Sequence, residues 1–299
     1  MAFRIDPAAP LREEFARVAD ETGAAIEAHL EEAATDHASG LHEARKGIKK
    51  LRALARLVRA GAPEPLKAAE TMLRDAGRAV SGPRDAAAAV EAVDRLARAF
   101  PKKTGECRLD DIRAALARRC EERAGAGLEE ARLNALALCR AARDALRAVT
   151  FEAGLGDAEI LARGMKKTLR RWERALEAAE KHGEPADFHE LRKAVKAHAA
   201  QLGLLRDLLP DGIEERREAT SALGERLGEL NDIHVMRAGL AEGGLGLPDG
   251  LDARPFDRLL KRQGKALSGK ALVEAGRLLA HRPGKLRRRL GKALAGGRA

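Results

Sequence analysis

Basic side chains recur at helical spacing in the segment HEARKGIKKLR, residues 42–52. Positions three, four and seven apart lie on one face of a helix, so this segment has a cationic face opposite an apolar one. The cationic face, here called the first stripe, consists of His42, Arg45, Lys46 and Lys49, and Arg52 and Arg56 extend it. Glu43 is the only carboxylate in the segment. A face with so many cations and so few acids is suited to bind a dense polyanion.

A second segment, HELRKAVK at 189–196, has the same pattern. Its cationic face, the second stripe, consists of His189, Arg192, Lys193 and Lys196. The two histidines are 147 residues apart (189 − 42), and this offset aligns the other three pairs of cations without a gap. It also places VSGPRD (80–85) on LGELND (227–232). We interpret the chain as two copies of one helical unit, residues 1–150 and 151–299.

The recurrence favours a binding role over an incidental cluster of surface charge. Each like-charged pair on a helix costs about a few tenths of a kcal/mol, and a solvated face normally mixes in acids, as LREEFARVADE (11–21) does. Lysine and arginine neutralise phosphate, and arginine does so through paired hydrogen bonds. Histidine adds donors whose charge depends on pH.

Amphipathic helices must position these residues. Almost every segment between glycine and proline breaks has helical periodicity, no segment has the pattern of a strand, and much of the apolar content is Ala and Leu. The sequence therefore predicts an all-α fold, with no linker that isolates an independent domain. It predicts breaks that separate helix 213–227 from 231–241 and helix 256–266 from 270–281. The basic tail, KLRRRLGKALAGGRA, is expected to fray at its glycine-rich end.

Composition narrows the class of partner. The net charge of +10 indicates nucleic acid, an acidic membrane surface or polyphosphate. The chain has no Tyr, one Trp and six Phe, so it has few rings on which bases could stack. No apolar run approaches the roughly 20 residues that span a bilayer, and the N-terminus lacks the pattern of a signal peptide. We therefore expect a cytoplasmic protein without membrane contact.

The three cysteines, Cys107, Cys120 and Cys139, are odd in number and are never spaced as CxxC. This usage is typical of inert thiols in a reducing compartment rather than of a zinc or redox site. We expect neither a metal nor a cofactor.

The two blocks resemble the CHAD family, the conserved histidine α-helical domain. The resemblance rests on HEARKGIKKLR with SGPRD, and on HELRKAVK with LGELND: a His-x-x-Arg-basic-x-x-Lys helix followed by a turn. It implies two pseudo-symmetric helical bundles with a basic channel or surface that binds inorganic polyphosphate, often with targeting to polyphosphate granules. The residues that it implies for the anion site are His42, Arg45, Lys46, Lys49, His189, Arg192, Lys193 and Lys196, with Arg52 and Arg56 as extensions. In the first turn, SGPRD departs from the Leu-Gly-x-x-Arg-Asp that is usual in the family.

Three other classes of function are alternatives to polyphosphate binding. Nucleic-acid binding is the alternative, and it lacks stacking rings and a base-reading motif. An enzyme acting on polyphosphate or triphosphate would need carboxylates to position Mg²⁺ and a water, and no strand-borne Glu-x-Glu-x-Lys motif is present. A scaffold that binds proteins is the third class. The sequence predicts a non-catalytic protein with no catalytic residues.

Several further residues have a structural and a functional interpretation. His198 is predicted to be a core histidine with satisfied hydrogen bonds, and Trp172 a packing residue. Asp85 and Asp232 are predicted to pair with basic residues of the preceding basic helix.

Two alternatives stay open at this stage. The run RGMKKTLRR (163–171) is either a wall of the anion site or a solvated face. His234 either joins the anion surface or bonds to its own backbone.

Overall fold

In the computed structural model, the part of the chain that is described, residues 3–123, 127–209, 212–280 and 286–297, contains helices and no strands. The α-helices of this part are α1 (Leu11–Glu32), α2 (His37–Val58), α3 (Pro63–Ala79), α4 (Gly82–Ala99), α5 (Leu109–Arg123), α6 (Leu128–Arg147), α7 (Asp157–Lys181), α8 (Pro185–Leu204), α9 (Ile213–Ala241), α10 (Arg254–Ala280) and α11 (Leu286–Gly297). Short 3₁₀ helices follow α2 at Arg59–Gly61 and α4 at Pro101–Lys103. The predicted all-α fold class is confirmed.

The helices that carry the site begin at residues suited to a helix start. The Asp36 side chain caps α2 by accepting a hydrogen bond from the Ser39 N–H at 3.1 Å. Pro185 opens α8, where its fixed φ fits the first turn and its missing N–H is not needed. Asp157 and Glu159 lie in the first turn of α7, where negative charge complements the helix dipole.

The turn expected at LGELND (227–232) is wrong, because α9 continues through it. Leu223, Leu227, Leu230 and Ile233 are all buried at helical spacing, so packing holds the helix together across Gly228. In the first half, VSGPRD does contain a break: α3 ends at Ala79 and α4 begins at Gly82. A proline at the start of α4 explains the difference, since a helix interior tolerates glycine far better than proline.

The break expected between residues 266 and 270 is also wrong. Leu267 and Ala271 are buried on either side of it, and the Ser268 hydroxyl donates to the Lys265 carbonyl at 3.1 Å. A serine that bonds back to the preceding turn fits inside a helix.

The tail forms α11 rather than fraying over its described residues. Leu290 and Leu294 are buried, and α11 packs on α7.

Two buried clusters form the core of the molecule. The first joins α1, α2, α3, α6 and α11 with the beginning of α7 and the end of α8. The second joins α4, α5, α10 and most of α9 with the end of α7 and the beginning of α8. Helices α7 and α8 therefore run from one cluster into the other, and each cluster contains residues from both sides of residue 150.

Helix positions agree with the offset of 147 residues. Shifted by this offset, α1 falls on 158–179, within α7, and α2 falls on 184–205, against Pro185–Leu204 for α8. Helices α3 and α4 together fall on 210–246, which contains α9. The division into two repeats at residue 150 stays a prediction.

Helices α2 and α7 approach each other closely at Gly164. A Cβ at this position would lie 1.8 Å from the carbonyl oxygen of Leu57, which no real structure allows. Glycine is therefore required where α7 crosses the end of α2, and this crossing sets one wall of the groove described next.

Candidate anion-binding site

A large open groove, about 2350 Å³ in volume, runs along α7. Its walls come from the end of α2 with α3, from α8, and from the end of α10 with α11. Among the described residues, ten lysines and arginines line it: Arg56, Arg59, Arg163, Lys166, Lys167, Arg170, Arg171, Arg174, Arg287 and Arg288. The carboxylates in the lining are Glu70, Glu159 and Glu173. The groove is therefore strongly positive.

One face of α7 carries the exposed cations of the groove. This α7 row consists of Lys166, Lys167, Arg170 and Arg174. Within the described chain, none of the four pairs with a carboxylate. The row extends over about 12 Å at 1.5 Å per residue. Arg163 and Arg171 flank the row and are paired, with Glu159 at 2.6 Å and Glu190 at 2.7 Å. The run 163–171 thus lines the groove, and its role as a wall of an anion site stays a prediction.

Burial of the opposite face holds α7 in this orientation. Ile160, Met165 and Trp172 are almost fully buried, so the helix cannot rotate its cations away from the groove.

The wall formed by α11 was missed by sequence reasoning. Arg287 Nε lies 2.8 Å from Glu159 Oε2 in an ion pair that ties α11 to the start of α7. Leu286, Leu290 and Leu294 are spaced four residues apart, and this spacing was the available signal for a helix.

The wall at α2 and α3 contains an arginine cluster, Arg52, Arg56 and Arg59 around Glu70. Arg56 Nε donates to Glu70 Oε1 at 2.6 Å, Arg52 Nη2 lies 3.5 Å from the same oxygen, and Arg59 binds Oε2. Burial acts to raise the pKa of Glu70, but the three arginines outweigh it and the pKa is lowered. Arg56, an expected extension of the first stripe, thus lies in the groove, whereas its partner Glu70 was not predicted.

The other residues of the first stripe are not among the groove-lining residues. Arg45 Nη1 donates to the Val80 carbonyl at 3.0 Å and so ties α2 to the end of α3. Lys46 pairs with Glu43 at 3.2 Å, and the His42 Nε2 lies 3.9 Å from the same side chain. Lys49 is exposed.

The second stripe lies along α9. His189 Nδ1 lies 3.0 Å from Asn231 Oδ1, and Lys196 Nζ donates to Glu225 Oε1 at 3.0 Å. Gly228 of LGELND lies beside Arg192, and a Cβ there would meet Arg192 Nε at an ordinary contact distance of 3.6 Å.

Glu190 connects the second stripe to the groove. It pairs with Lys193 of the stripe and accepts from Arg171 of the groove at 2.7 Å. The second stripe therefore adjoins the groove through one shared carboxylate.

Asp232 pairs with an arginine, but on a different helix from the one predicted. Arg95 on α4 donates to Asp232 Oδ2 at 2.6 Å. Burial raises the pKa of Asp232, and Arg95 and Arg192 act against this rise. The prediction of a basic partner holds, but the hydrogen-bonded partner comes from α4 rather than from α8. The side chain of Asp85 lies outside the described part.

His234 is half-buried, with its ring 5.9 Å from that of Phe188. Burial and then Arg237 lower its pKa, which disfavours the charged form that an anion surface would use.

Cys107 and Cys139 are buried free thiols, and burial raises the pKa of Cys139 to about 12. Cys120 lies outside the described side chains.

His198 and Trp172 are fully buried, as predicted, and their rings meet edge to face at 5.6 Å. The satisfied hydrogen bonds expected for His198 are not found: both ring nitrogens lack a partner in the described structure, as do the polar atoms of the Gln201 and Thr220 side chains. At the offset of 147 residues the first half has leucine in all three places: Leu51, Leu54 and Leu73.

Comparison with known proteins identifies the family. A family model described as the CHAD domain matches residues 17–241. The chain belongs to the CHAD family. It is also similar to the crystal structure of the CHAD domain from the plant Ricinus communis, with a TM-score of 0.55 and 20% identity over 99% of this chain and 95% of that one. No curated protein matches the chain in sequence.

The family is one associated with polyphosphate binding in general. Over the described residues, no group of three or more His, Cys, Asp or Glu could hold a metal ion. No helix in the described ranges is long and apolar enough to span a bilayer.

Proposed function

We propose that this CHAD protein binds inorganic polyphosphate and does not process it. The observation that carries the proposal is the α7 row: four exposed cations that pair with no carboxylate of the described residues, in a groove whose described lining includes ten lysines and arginines. Such a row gives up no ion pair when it binds phosphate. The association of the family with polyphosphate supports the same ligand.

The spacing of charge suits a linear chain of phosphates. A helix brings a new cation to the same face about every 5.4 Å. Phosphates in polyphosphate lie closer together than those along one nucleic-acid strand, so a dense row of cations matches polyphosphate better. The first stripe reaches the groove at Arg56, and the second adjoins it at Glu190. We propose that both stripes extend the site.

Nucleic acid is the weaker candidate. Trp172, the only tryptophan, is fully buried and cannot stack on a base. Protein partners of this chain are not proposed.

A competition titration tests the proposal. Labelled long-chain polyphosphate is bound to the protein and displaced by single- or double-stranded DNA at matched phosphate concentration and about 0.15 M salt, where non-specific DNA binding is weak. We expect polyphosphate to displace DNA and DNA to fail to displace polyphosphate. Equal or tighter binding of DNA would support the nucleic-acid alternative instead.

We also propose a cytoplasmic location with association with polyphosphate granules. A fluorescent fusion should overlap with stained granules, and a variant that loses the α7 row should spread evenly. Release of orthophosphate from polyphosphate incubated with the purified protein would contradict the non-catalytic role.

A further inference from the structure

The arginine cluster differs from the α7 row in its burial. The side chains of Arg52, Arg56 and Arg59 are 26%, 23% and 23% exposed, and that of Glu70 is 13% exposed. The α7 row, in contrast, lies open along the groove. A polyphosphate chain can lie along the row, but it cannot pass through a half-buried cluster and continue on the other side.

The cluster has more positive charge and more donors than Glu70 can use. Three guanidinium groups surround one carboxylate, which leaves two positive charges uncompensated within the cluster. The Nε groups of Arg52 and Arg59 are buried without a hydrogen-bond partner in the described structure. Buried donors of this kind are costly unless an acceptor reaches them. The arrangement is that of an oxyanion site in which a carboxylate of the protein occupies the anion position.

We infer that the arginine cluster binds the terminal phosphate group of a polyphosphate chain, and that this group displaces the Glu70 carboxylate. The inference rests on the proposed function and assigns the chain end to one place in the groove. A terminal phosphate is a monoester-like group with about −1.5 to −2 charge at neutral pH and three acceptor oxygens. An internal phosphate has less charge and fewer free oxygens. Three convergent arginines therefore match the terminal group better.

Glu70 then acts as a competing anion inside the site. When no ligand is bound, it neutralises part of the arginine charge and keeps the three side chains together. A chain end must replace it, so Glu70 weakens binding of chain ends and selects against weaker anions.

Two small ligands separate chain ends from internal phosphates. Linear tripolyphosphate has two terminal groups, whereas cyclic trimetaphosphate has none. Their affinities are measured by calorimetry on the full chain at constant ionic strength, for the wild type, Glu70→Gln and Glu27→Gln. Glu27 is a matched control because it is a carboxylate of similar burial, also held by two arginines, Arg140 and Arg143, and it does not line the groove.

We expect Glu70→Gln to bind tripolyphosphate about tenfold more tightly than the wild type, a change of about 1.4 kcal/mol. Binding of trimetaphosphate should change about as little as it does in Glu27→Gln. Unchanged or weaker binding of tripolyphosphate by Glu70→Gln would overturn the inference, and so would an equal gain for both ligands.

A second variant guards against misfolding of Glu70→Gln. Arg56→Gln removes a donor from the cluster, and it should abolish the preference for tripolyphosphate over trimetaphosphate. If long-chain polyphosphate fails to bind the wild type, the proposed function fails. If long chains bind and Arg56→Gln keeps the wild-type preference, only the assignment of the chain end fails.

Discussion

Glu43 and Glu190 each lie three residues before a lysine of the predicted stripes, and each pairs with it. A phosphate that binds Lys46 or Lys193 must therefore replace an existing ion pair, although exposed pairs of this kind are worth only about 0–1 kcal/mol. Lys166 and Arg170 in the α7 row form no such ion pair with any residue that the structure describes. At the residue scale, the α7 row should contribute more binding free energy than either stripe.

Reversing charge in the α7 row tests this ranking. Lys166→Glu combined with Arg170→Glu should weaken polyphosphate binding about 100-fold, because several phosphate contacts and their counterion release are lost together. Affinity is measured by titration, and helicity by circular dichroism, which should not change. The control is Lys265→Glu with Lys270→Glu, the same change in net charge on exposed residues of α10 that do not line the groove. An equal loss in the control would mean that net charge alone drives binding.

The stripes predicted from sequence have their own test. Lys46→Glu with Lys49→Glu, and separately Lys193→Glu with Lys196→Glu, should each weaken binding of long chains by less than the α7 double variant does. Both stripes should matter more for long chains than for tripolyphosphate, which has only three phosphates with which to contact cations. The measurement is affinity as a function of chain length. A loss confined to one stripe would show that one chain does not span both halves.

His198 gives the folded state a dependence on pH. Burial, and to a smaller extent Arg216, lowers the pKa of His198 to about 3. Histidine in the unfolded chain titrates near 6.5, so the unfolded state binds the additional proton between these values. The contribution of His198 to the free energy of unfolding is constant above about pH 6.5. As the pH decreases below this value, the free energy of unfolding falls.

His198→Leu should remove this acid sensitivity. Between pH 7 and pH 5, the wild type should lose about 2 kcal/mol more unfolding free energy than the variant. Urea denaturation at the two pH values measures the difference, with the exposed His182→Gln as control. Leucine is the residue that the offset of 147 aligns with His198, and this residue, Leu51, is itself buried. Equal pH slopes would contradict the assignment.

At the scale of elements, α7 both packs in the core and lines the groove. Its apolar face passes through both buried clusters, and its cationic face forms the floor of the groove. Its contact with α2 depends on Gly164, where a Cβ would lie 1.8 Å from the Leu57 carbonyl oxygen. The groove therefore depends on a backbone contact as well as on charge.

Gly164→Ala should be strongly destabilising. The backbone atoms of α2 cannot yield as a side chain can, and we expect a loss of about 3 kcal/mol or more of unfolding free energy. Gly203→Ala in α8 is the matched control. Its Cβ would meet the Arg217 side chain at an ordinary 3.7 Å, and alanine should gain up to about 1 kcal/mol in a helix. Chemical denaturation of both variants decides the prediction. Similar stabilities of the two variants would show that α2 and α7 can move apart without a loss of unfolding free energy.

The elements themselves were largely predictable, because helical periodicity is a local property of the chain. Sequence reasoning failed where packing overrides a local signal, as at Gly228 and at Ser268, where buried leucines carry α9 and α10 past the expected breaks. It also could not place α11 against α7, because neither Leu290 nor Arg287 indicates which helix lies opposite.

For the site, sequence reasoning identified the type of residue but not the pairing. It selected Arg52 and Arg56 from their spacing, yet Glu70 comes from another helix and nothing local marks it as their partner. Sequence reasoning also could not decide whether the run 163–171 lines a groove or faces solvent. Cations in either place follow the same helical periodicity.

At the scale of the whole molecule, the two halves of the chain share a buried core. Helices α4 and α5 of the first half share the second cluster with α9 and α10, α4 packs on α9, and Arg95 reaches Asp232 across this contact at 2.6 Å. Helices α7 and α8 then join the two clusters. We infer that neither half is complete without the other.

Unfolding should therefore be a single cooperative transition. Trp172 is the only tryptophan and lies in the second cluster, so its fluorescence reports that cluster alone. Circular dichroism at 222 nm reports helices of both clusters. We expect the two signals to change at the same denaturant concentration. Fluorescence that changes before or after the loss of helix would show that the clusters unfold separately.

The way α4 and α5 are buried has a consequence for synthesis on the ribosome. Val93, Leu96 and Ile112 are almost fully buried in the second cluster, which is completed by residues of the second half. The first of the two late helices that cover them, α9, begins at Ile213, 90 residues after α5 ends at Arg123 (213 − 123). At about 5–20 residues per second, these apolar side chains wait roughly 5–20 s for their partners. Small domains commonly fold faster than this. The nascent chain is then a client for chaperones that hold exposed apolar helices, and a pause in translation before α9 would prolong that exposure.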